Sequence, residues 1–454
     1  MINISIEDIC KYCDGEMYHV KDSTKQIRGV TIDSREAQQD MLFIPLLGER
    51  TDGHRFVQQS IDDGALISLW QRDQANKPEG VPLIIVEDTL VALQQLAKYY
   101  LQRINPKVIG VTGSNGKTTT KDMIYTALQS TYNVQKTEGN YNNEIGMPLT
   151  ILSLNKDCEV AILEMGMDRF HDIELLSNLA KPDIAVITNI GESHMEHLGS
   201  REGIAKAKSE ITIGLKDDGL LIIDGDEPLL SFHRQETRYN TLTVGLDETS
   251  QIFVNQIDIR EGMIQFKSNL TDEGQWIKLS LLGEHNTKNA LYSLVVAKHL
   301  NVDMSEAIHQ LATVELTPMR MQPIQGLNGS LIINDAYNAS PTSMMSAIRS
   351  VRDLKERAIL VLGDMLEIGD EKTSYYNSMA QLINESPSIE AVYLYGEDIV
   401  ILEQRIDCYC KHFEDKSSMT SVLQQEMNEQ TVILFKGSRG LKLETIIDGI
   451  LTDN

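Results

Sequence analysis

The stretch Val108-Ile-Gly-Val-Thr-Gly-Ser-Asn-Gly-Lys-Thr-Thr119 decides the fold class of this 454-residue chain. Its apolar start predicts a buried strand, its glycines predict a tight turn, and one-sided apolar residues after it predict a helix. Glycines let backbone N–H groups close around a phosphate, Lys117 can reach the outer phosphate oxygens of a nucleotide, and the Thr118 hydroxyl can bind Mg²⁺. The stretch therefore predicts a phosphate-binding loop in an α/β fold.

The loop is a short variant of the G-x4-G-K-[ST] pattern, because Val111 stands where a strict match needs glycine. It reads T-G-x-N-G-K-T-T. A Gly-rich turn that binds nothing would not need the lysine and the paired threonines. The residues predicted to bind ATP here are Thr112, Gly113, Ser114, Asn115, Gly116, Lys117, Thr118 and Thr119.

Composition excludes several classes of protein. Lys+Arg is 41 and Asp+Glu is 66, which gives a formal charge of −25. Nucleic-acid surfaces and polybasic membrane anchors need clustered cations, so we expect neither partner. No basic, apolar leader opens the chain, and no apolar run approaches 18 residues. Five cysteines are an odd, sparse set, which favours free thiols in a cytoplasmic protein over the redox or zinc site that Cys10-Lys-Tyr-Cys13 could form.

Short β-rich runs alternate with amphipathic helical stretches, which predicts α/β architecture with mainly parallel sheets. Asn105-Pro106 and Leu316-Thr-Pro318 divide the chain into three predicted domains: 1–105, 106–315 and 316–454. The last one looks Rossmann-like but lacks a G-x-G-x-x-G turn. Strands are predicted at Gly29–Asp33, Met41–Leu46, Ala65–Trp70, Pro82–Val86, Lys107–Thr112, Val160–Glu164, Ile184–Asn189, Leu220–Asp224, Leu331–Asn334, Ala358–Leu362, Ala391–Tyr395 and Thr431–Phe435.

Two polar residues follow strands of the middle segment. Glu164 ends one strand, and His194 comes shortly after the next. Because carboxyl ends of parallel strands share one sheet edge, both can lie beside the phosphate loop and bind a metal. A solvated carboxylate and a structural histidine are the alternatives.

Lys208 lies inside an apolar stripe. On the helix predicted to start near Ser200, it is four residues after Ile204 and three before Ile211, whereas Lys206 points to the opposite side. Burial lowers the pKa of a lysine, and a neutral amine can react with CO₂ to form a carbamate. The alternative is a lysine that reaches solvent from the edge of the stripe.

The chain resembles the Mur ligases of peptidoglycan synthesis over all three segments. The runs that carry the resemblance, besides the phosphate loop, are Thr31-Ile-Asp-Ser-Arg35, Leu42-Phe-Ile-Pro45, Asp52-Gly-His54, Thr137-Glu-Gly-Asn-Tyr-Asn-Asn-Glu-Ile-Gly146, Leu163-Glu-Met-Gly166, Thr188-Asn-Ile-Gly-Glu-Ser-His194, Ala205-Lys-Ala-Lys-Ser-Glu-Ile211, Gly283-Glu-His-Asn-Thr-Lys-Asn-Ala290, Met319-Arg320, Asn334-Asp-Ala-Tyr-Asn-Ala-Ser-Pro341, Leu362-Gly-Asp-Met365 and Lys436-Gly-Ser-Arg439. The loop is shared with folylpolyglutamate synthases. The G-N-Y-N-N-E-I-G, D-A-Y-N-A-S-P and K-G-S-R-G runs point to the branch that adds a dipeptide, and the D-N-P-R run of the lysine- or diaminopimelate-adding sibling is absent.

The resemblance implies a set of residue roles. For ATP, these are Lys117 and the loop amides on the phosphates, Asn286 and Asn289 on the adenine side, Asp335 on the ribose and Arg320 on the γ-phosphate after domain closure. For two Mg²⁺ ions, they are Thr118 and Glu164, then His194 and a carbamylated Lys208. For the substrates, Ser34 and Arg35 would contact the uridine diphosphate, Asn140 and Asn143 the muramoyl-peptide, and Asn338, Lys436 and Arg439 the dipeptide side. Asparagines that cap turns, and a solvated loop for Lys436 and Arg439, are the alternatives.

The resemblance also implies an activity and its partners. The enzyme would use ATP to join D-alanyl-D-alanine to UDP-N-acetylmuramoyl-tripeptide through an acyl phosphate, as a cytoplasmic monomer acting in cell-wall synthesis, cell shape and division. A lysine- or diaminopimelate-adding sibling and a folylpolyglutamate synthase remain as alternatives. A GTPase-type switch needs [NT]-K-x-D, and the nearest run, Ala180-Lys-Pro-Asp183, lacks its first residue.

Overall fold

The structure is a computed structural model that describes residues 2–48, 51–260, 263–272, 274–366, 368 and 372–452. Within these ranges the chain forms three larger sheets and one small two-stranded pair. The strands are β1 (Ile4–Ser5), β2 (Glu16–Tyr18), β3 (Gln26–Ile27), β4 (Gly29–Thr31), β5 (Met41–Phe43), β6 (Ile67–Gln71), β7 (Leu83–Val86), β8 (Lys107–Thr112), β9 (Val134–Lys136), β10 (Val160–Glu164), β11 (Ile184–Ile187), β12 (Leu220–Asp224), β13 (Asn240–Gly245), β14 (Ile252–Arg260), β15 (Met263–Ser268), β16 (Ile277–Leu279), β17 (Gln322–Gln325), β18 (Leu331–Asn334), β19 (Arg357–Gly363), β20 (Ile389–Tyr395), β21 (Tyr409–His412) and β22 (Thr431–Lys436).

The α-helices alternate with these strands. They are α1 (Ile6–Tyr12), α2 (Val57–Asp62), α3 (Thr89–Ile104), α4 (Lys117–Leu128), α5 (Gly146–Ser153), α6 (Asp172–Ala180), α7 (Met195–Leu198), α8 (Arg201–Ser209), α9 (Ile211–Gly214), α10 (Asn286–His299), α11 (Met304–Leu311), α12 (Pro341–Val351), α13 (Lys372–Asn384), α14 (Lys416–Glu426) and α15 (Glu444–Thr452). None of the described helices is both long and apolar enough to cross a membrane.

The first sheet has the order β2-β7-β6-β5-β4, and only the β2–β7 pair is antiparallel. All four strands predicted in this segment are present, with ends that differ by one to three residues. The first sheet and the central sheet share an apolar core, in which Leu93 and Leu96 of α3 join the same buried cluster as Ile151 of α5. The N-terminal part of the chain therefore packs firmly against the central part.

The central sheet has nine strands in the order β16-β15-β14-β13-β12-β11-β8-β10-β9. Strands β8 to β14 within it run parallel, and β14, β15 and β16 form an antiparallel extension. Strand β8 lies between β10 and β11, so the loop that follows it has the carboxyl ends of two other strands on either side. This order places Glu164 and the residues after β11 beside the phosphate loop, as the sequence predicted.

The third sheet has the order β17-β18-β22-β19-β20-β21, and only β17 is antiparallel to its neighbour. Helices lie on both faces, over two separate buried clusters. The Rossmann-like prediction for this segment is confirmed. The predicted domain limits fall in the connections between α3 and β8 and between α11 and β17, and as exact limits they stay predictions.

Candidate active site

The phosphate loop joins β8 to α4 at the centre of the second sheet. Its backbone is fixed by the segment after β11: the Ser114 N–H donates to the Asn189 carbonyl at 3.1 Å, and the Asn115 N–H donates to the Asn189 side-chain oxygen at 2.9 Å. The Thr188 hydroxyl donates to the Asn115 carbonyl at 2.6 Å. Contacts within the protein therefore fix the conformation of the loop.

Two glycines of the loop have backbone angles and surroundings that exclude a side chain. Gly113 has φ +151°, and a Cβ there would lie 1.8 Å from the Thr188 hydroxyl oxygen. Gly116 has φ +78°, and a Cβ there would lie 2.9 Å from Oδ1 of Asn289. These positions need glycine for both conformation and space.

Lys117 begins α4, and its ammonium donates to the Gly113 carbonyl at 2.7 Å. Burial lowers the pKa of Lys117. The negative charge of Glu164 opposes that shift, and the positive charge of Arg320 adds to it. The Lys117 side chain therefore folds back over the loop and places its charge where the β and γ phosphates of a nucleotide would lie.

Glu164 ends β10 and is 3 % exposed. One of its carboxylate oxygens accepts the Thr118 hydroxyl at 3.0 Å, and the other accepts the Asn142 side-chain amide at 2.9 Å. The ammonium of Lys121, which is fully buried, lies 3.8 Å from the first oxygen. The alternative of a solvated carboxylate is wrong, because Glu164 is a buried, hydrogen-bonded group.

Lys208 is 2 % exposed on α8, whereas Lys206 is on the exposed side of the same helix. The prediction from the apolar stripe is confirmed. Burial holds the pKa of Lys208 well below its usual value, and the charge of Lys117 lowers it further. In the part of the chain that the structure describes, no carboxylate forms an ion pair with Lys208.

These groups converge on one cavity of about 770 Å³, here called the main cavity. It lies where the three sheets meet, since α3, the phosphate loop and residues after β18 all line it. His194 lines it too, with its ring Nδ1 3.4 Å from an oxygen of Asp168. The predicted residues that line it are Ser114, Asn115, Gly116, Lys117, Asn140, Asn143, Glu164, His194, Lys208, Arg320, Asn338 and Lys436.

The C-terminal part of the chain contacts the phosphate loop directly. The Arg320 guanidinium donates to the Thr118 hydroxyl at 3.4 Å and stacks on the Tyr337 ring, 4.1 Å from its centroid. The Ser340 hydroxyl donates to Oδ1 of Asn115 at 3.1 Å. The structure therefore shows the three parts closed around the main cavity.

A second, smaller cavity of about 130 Å³ lies on the other side of the loop and is called the base cavity here. The predicted residues that line it are Asn115, Gly116, Thr119, Asn286, Asn289, Arg320, Asp335 and Lys436. Asn286 and Asn289 are hydrogen bonded to each other at 2.9 Å. The side-chain nitrogen Nδ2 of Asn115 and the Arg320 Nε atom are buried and have no hydrogen-bond partner among the described residues. Polar groups of this kind suit a bound nucleotide, which would satisfy them.

Asp335 and Lys436 form a buried pair at 2.6 Å, and the Met321 N–H donates to the other Asp335 oxygen at 3.1 Å. Lys436 is only 3 % exposed, so the solvated-loop alternative for it is wrong. Arg439 is different: its side chain is half exposed and pairs with Glu444 at 2.6 Å. Arg439 lines neither cavity.

Ser34 and Arg35 lie on a short 3-10 helix beside the first sheet, apart from both cavities. The Arg35 side chain is 84 % exposed and pairs with Asp33. Of the loop residues, Thr112 donates its hydroxyl to the Met165 carbonyl at 2.9 Å, and it lines neither cavity.

Sequence reasoning missed several residues of the site. Asn142 and Lys121 both reach Glu164, Tyr337 supports Arg320, and Ser340 contacts the loop. The runs that contain Asn142, Tyr337 and Ser340 were singled out, but spacing alone does not show which member of a run faces the site. Lys121 carried one signal, because it is four residues after Lys117 on the same helix.

Comparison with known proteins decides the family. Three family descriptions match consecutive parts of the chain: "Mur ligase family, catalytic domain" at residues 26–101, "Mur ligase middle domain" at 111–297 and "Mur ligase, glutamate ligase domain" at 319–439. The UDP-N-acetylmuramoyl-tripeptide–D-alanyl-D-alanine ligase of Bacillus subtilis is 43 % identical, over 99 % of both chains. The chain belongs to the Mur ligase family.

Other Mur ligases agree with this assignment. The ligase of the same name from Haemophilus influenzae is 31 % identical, over 98 % of both chains. A crystal structure of MurF from Acinetobacter baumannii superposes with a TM-score of 0.91 at 28 % identity, and covers 100 % of this chain and 99 % of that one. The MurF ligase from Thermotoga maritima in complex with ADP superposes with a TM-score of 0.83 at 30 % identity, over 93 % of this chain and 96 % of that one.

Proposed function

We propose that this Mur ligase joins D-alanyl-D-alanine to UDP-N-acetylmuramoyl-tripeptide at the expense of ATP, and so makes the pentapeptide precursor of peptidoglycan. The single observation that carries this function is the 43 % identity, over nearly the whole chain, to a ligase of that name. The site agrees with it, because a phosphate loop, a buried lysine and an arginine from a second domain surround one large cavity. Peptidoglycan synthesis connects the enzyme with cell shape and division.

ATP binding follows from the loop and from the likeness to a MurF ligase in complex with ADP. We assign the phosphates to the loop amides and Lys117, the adenine side to Asn286 and Asn289, and the ribose to Asp335. The γ-phosphate would meet Arg320, whose Nε atom is buried and lacks a partner among the described residues. A nucleotide in this place would lie across Gly116, between the base cavity and the main cavity.

Mg²⁺ fits the residues beside the loop. Thr118 and Glu164 present two oxygens 3.0 Å apart, and oxygen is the ligand that Mg²⁺ prefers. When bound, Mg²⁺ would neutralise phosphate charge. We assign Thr118 and Glu164 to one ion, and His194 and a carbamate on Lys208 to a second.

A carbamate on Lys208 would give the second Mg²⁺ a ligand that the other side chains of the site do not supply. Among the described residues no three His, Cys, Asp or Glu side chains are grouped to hold a metal ion. An amine with a lowered pKa is neutral and can add CO₂, which turns a poor ligand into a carboxylate-like one. Lys208 lines the main cavity, as such a ligand must.

The substrates would approach from two sides. Ser34 and Arg35 beside the first sheet are assigned to the uridine diphosphate, and Asn140 and Asn143 to the muramoyl-peptide. Asn338 and Lys436 line the main cavity from the C-terminal side and are assigned to the dipeptide, together with Arg439. We propose a monomer that works in the cytoplasm, where the nucleotide substrates are made.

The reaction needs two steps. A terminal carboxylate oxygen of the tripeptide attacks the γ-phosphorus of ATP, ADP leaves, and an acyl phosphate forms. The amine of the dipeptide then attacks the acyl carbon, phosphate departs with the former carboxylate oxygen, and the amine loses a proton. Lys117 and Arg320 offset the charge where carboxylate and phosphate meet. The closed domains exclude water, which would hydrolyse the acyl phosphate.

An acceptor panel tests this function against the sibling activities. ADP formation is measured with UDP-N-acetylmuramoyl-tripeptide and, in turn, D-alanyl-D-alanine, D-alanine and no amine. A parallel set uses UDP-N-acetylmuramoyl-dipeptide with lysine or diaminopimelate, and a folate with glutamate. We expect sustained turnover only with the tripeptide and D-alanyl-D-alanine. Turnover with the dipeptide nucleotide and a free amino acid instead would assign the chain to a sibling branch.

A further inference from the structure

The segment between β11 and α8, residues 190–199, carries His194 and is called the His194 segment here. His194 has φ +64° and ψ +24°, a left-handed conformation that is unfavourable for a residue with a side chain. Its side chain lines the main cavity and is 20 % exposed. A residue in such a conformation persists only when the surrounding contacts hold it there.

The central domain holds the start and the end of this segment. The Gly191 N–H donates to the Ser114 hydroxyl of the phosphate loop at 2.8 Å. The Arg201 guanidinium, at the start of α8, donates to the Ile190 carbonyl at 2.9 Å and pairs with Glu227. The same domain also contacts the His194 ring, whose Nδ1 lies 3.4 Å from an oxygen of Asp168.

The C-terminal domain adds a contact close to His194. The Thr342 hydroxyl in the first turn of α12 donates to a carboxylate oxygen of Glu192 at 2.7 Å. A hydrogen bond from a different domain therefore reaches the residue two before His194.

The same helix end also contacts the phosphate loop. Ser340 caps α12 and donates to Oδ1 of Asn115, while Pro341 and the reciprocal hydrogen bonds of Ser340 with Ser343 fix the first turn. Thr342 is two residues further on. One rigid helix end thus contacts the loop that binds phosphate and the segment that presents His194.

We propose that Thr342 is a positioning residue for the ligase reaction. When the C-terminal domain closes, its hydroxyl binds Glu192 and holds the turn in which His194 faces the main cavity. Domain closure is in this way coupled to completion of the site, because it adds a hold on the His194 turn to those that the central domain already supplies. This inference rests on the role given to His194 under the proposed function.

Hydrogen exchange and kinetics on matched variants test the proposal. Thr342→Val removes the hydroxyl and keeps the shape, Thr342→Ser keeps the hydroxyl, and Thr452→Val makes the same change where the hydroxyl bonds only within its own helix. With ADP present, we expect Thr342→Val to speed amide exchange in residues 190–199 about tenfold, as loss of one hydrogen bond to a charged group would do. Exchange in β8 and β10 should not change. Turnover should fall by a similar factor.

The proposal is overturned if exchange in residues 190–199 is the same in Thr342→Val and wild type, or if Thr342→Ser is as impaired as Thr342→Val. A double-mutant cycle with Glu192→Ala gives a further check, because the double variant should be no worse than either single one. Additive losses would also contradict the contact. Failure of the proposed function is distinguishable, since it would appear as absent pentapeptide in the wild-type enzyme, whatever the exchange result.

Discussion

Lys206 and Lys208 are two residues apart on one helix and have opposite environments. Lys206 is exposed and lies over the ring of Phe170, at 5.7 Å from its centroid. Lys208 is buried at the main cavity near Lys117, and its pKa is held well below the usual value. The sequence predicted this difference, because helical periodicity fixes which side of a helix each residue occupies.

We therefore expect Lys208→Ala to reduce ligase turnover by a factor of about 100 or more, the usual effect of losing one group that stabilises developing charge. Lys206→Ala should leave turnover within about twofold, as surface substitutions generally do. Steady-state rates of both variants at saturating substrates provide the comparison. Equal losses in the two variants would defeat the assignment of Lys208.

Replacing Lys208 should lower turnover but raise the stability of the fold. A buried polar group without a partner costs roughly 1–3 kcal/mol, so Lys208→Met should raise the free energy of unfolding while it abolishes turnover. Burial in the folded state disfavours the protonated amine and lowers its pKa, whereas the unfolded chain protonates it freely. Stability of the wild type should therefore rise as the pH increases from the lowered pKa toward 10.5. Lys208→Met should lose that rise.

Urea unfolding in CO₂-depleted, metal-free buffer at several pH values measures both effects. A Lys208→Met protein that is less stable than wild type at every pH would show that the amine is satisfied in the fold.

At the scale of elements, the turn between β8 and α4 depends on glycine at two positions. We expect Gly116→Ala to weaken ADP binding strongly, because the added Cβ would lie 2.9 Å from Asn289 in the base cavity. Gly80→Ala is the matched control: Gly80 also has positive φ, at +73°, but nothing lies within 4 Å of the added Cβ. Calorimetric titration with ADP compares them. Similar affinities for the two variants would place the nucleotide elsewhere.

The sequence predicted those elements that have a clear period or a sharp boundary. All twelve predicted strands exist, and Lys107–Thr112, Val160–Glu164, Leu220–Asp224 and Leu331–Asn334 have the predicted limits. The predicted end at Asn189 is two residues too long, because after Ile187 the chain leaves β11 to bind the phosphate loop. Strands β15 and β16 were not predicted, since antiparallel additions at a sheet edge show weaker patterns than buried parallel strands.

Parts of the site depend on contacts between distant residues, which no local pattern reveals. Asn142 was passed over for its neighbours Asn140 and Asn143, yet it is the one that binds Glu164. The Asn143 side chain instead accepts the N–H groups of Ile145 and Gly146 in the turn before α5, in agreement with the turn-capping alternative, although Asn143 also lines the main cavity. Lys436 pairs with Asp335 across about a hundred residues of sequence, which only the third sheet brings together.

At the scale of the whole molecule, the site is complete only when the C-terminal domain is closed. Arg320 reaches Thr118, and Thr317 binds Asp122 of α4 through both its N–H and its hydroxyl. The connection between the two domains is therefore fastened to the helix that carries the phosphate loop. A cation brought in by closure can act on the γ-phosphate only in the closed state.

We expect Arg320→Ala to lower kcat by about 10²–10³, with little change in KM for the UDP-tripeptide, because the arginine stabilises charge that develops during phosphoryl transfer. Arg352→Ala is the control, since Arg352 pairs with its neighbour Asp353 on the surface. Full steady-state kinetics of both variants separate the two constants. A rise in KM alone would mean that Arg320 only holds substrate.

The most direct measurement of the central claim follows the carboxylate oxygen. The terminal carboxylate of UDP-N-acetylmuramoyl-tripeptide is labelled with ¹⁸O, and wild-type enzyme is supplied with ATP, Mg²⁺ and D-alanyl-D-alanine. Mass spectrometry then analyses the phosphate and the nucleotide product. A ligase that works through an acyl phosphate transfers the label to phosphate and forms the UDP-pentapeptide. Pentapeptide with unlabelled phosphate, or phosphate released without pentapeptide, would contradict the account.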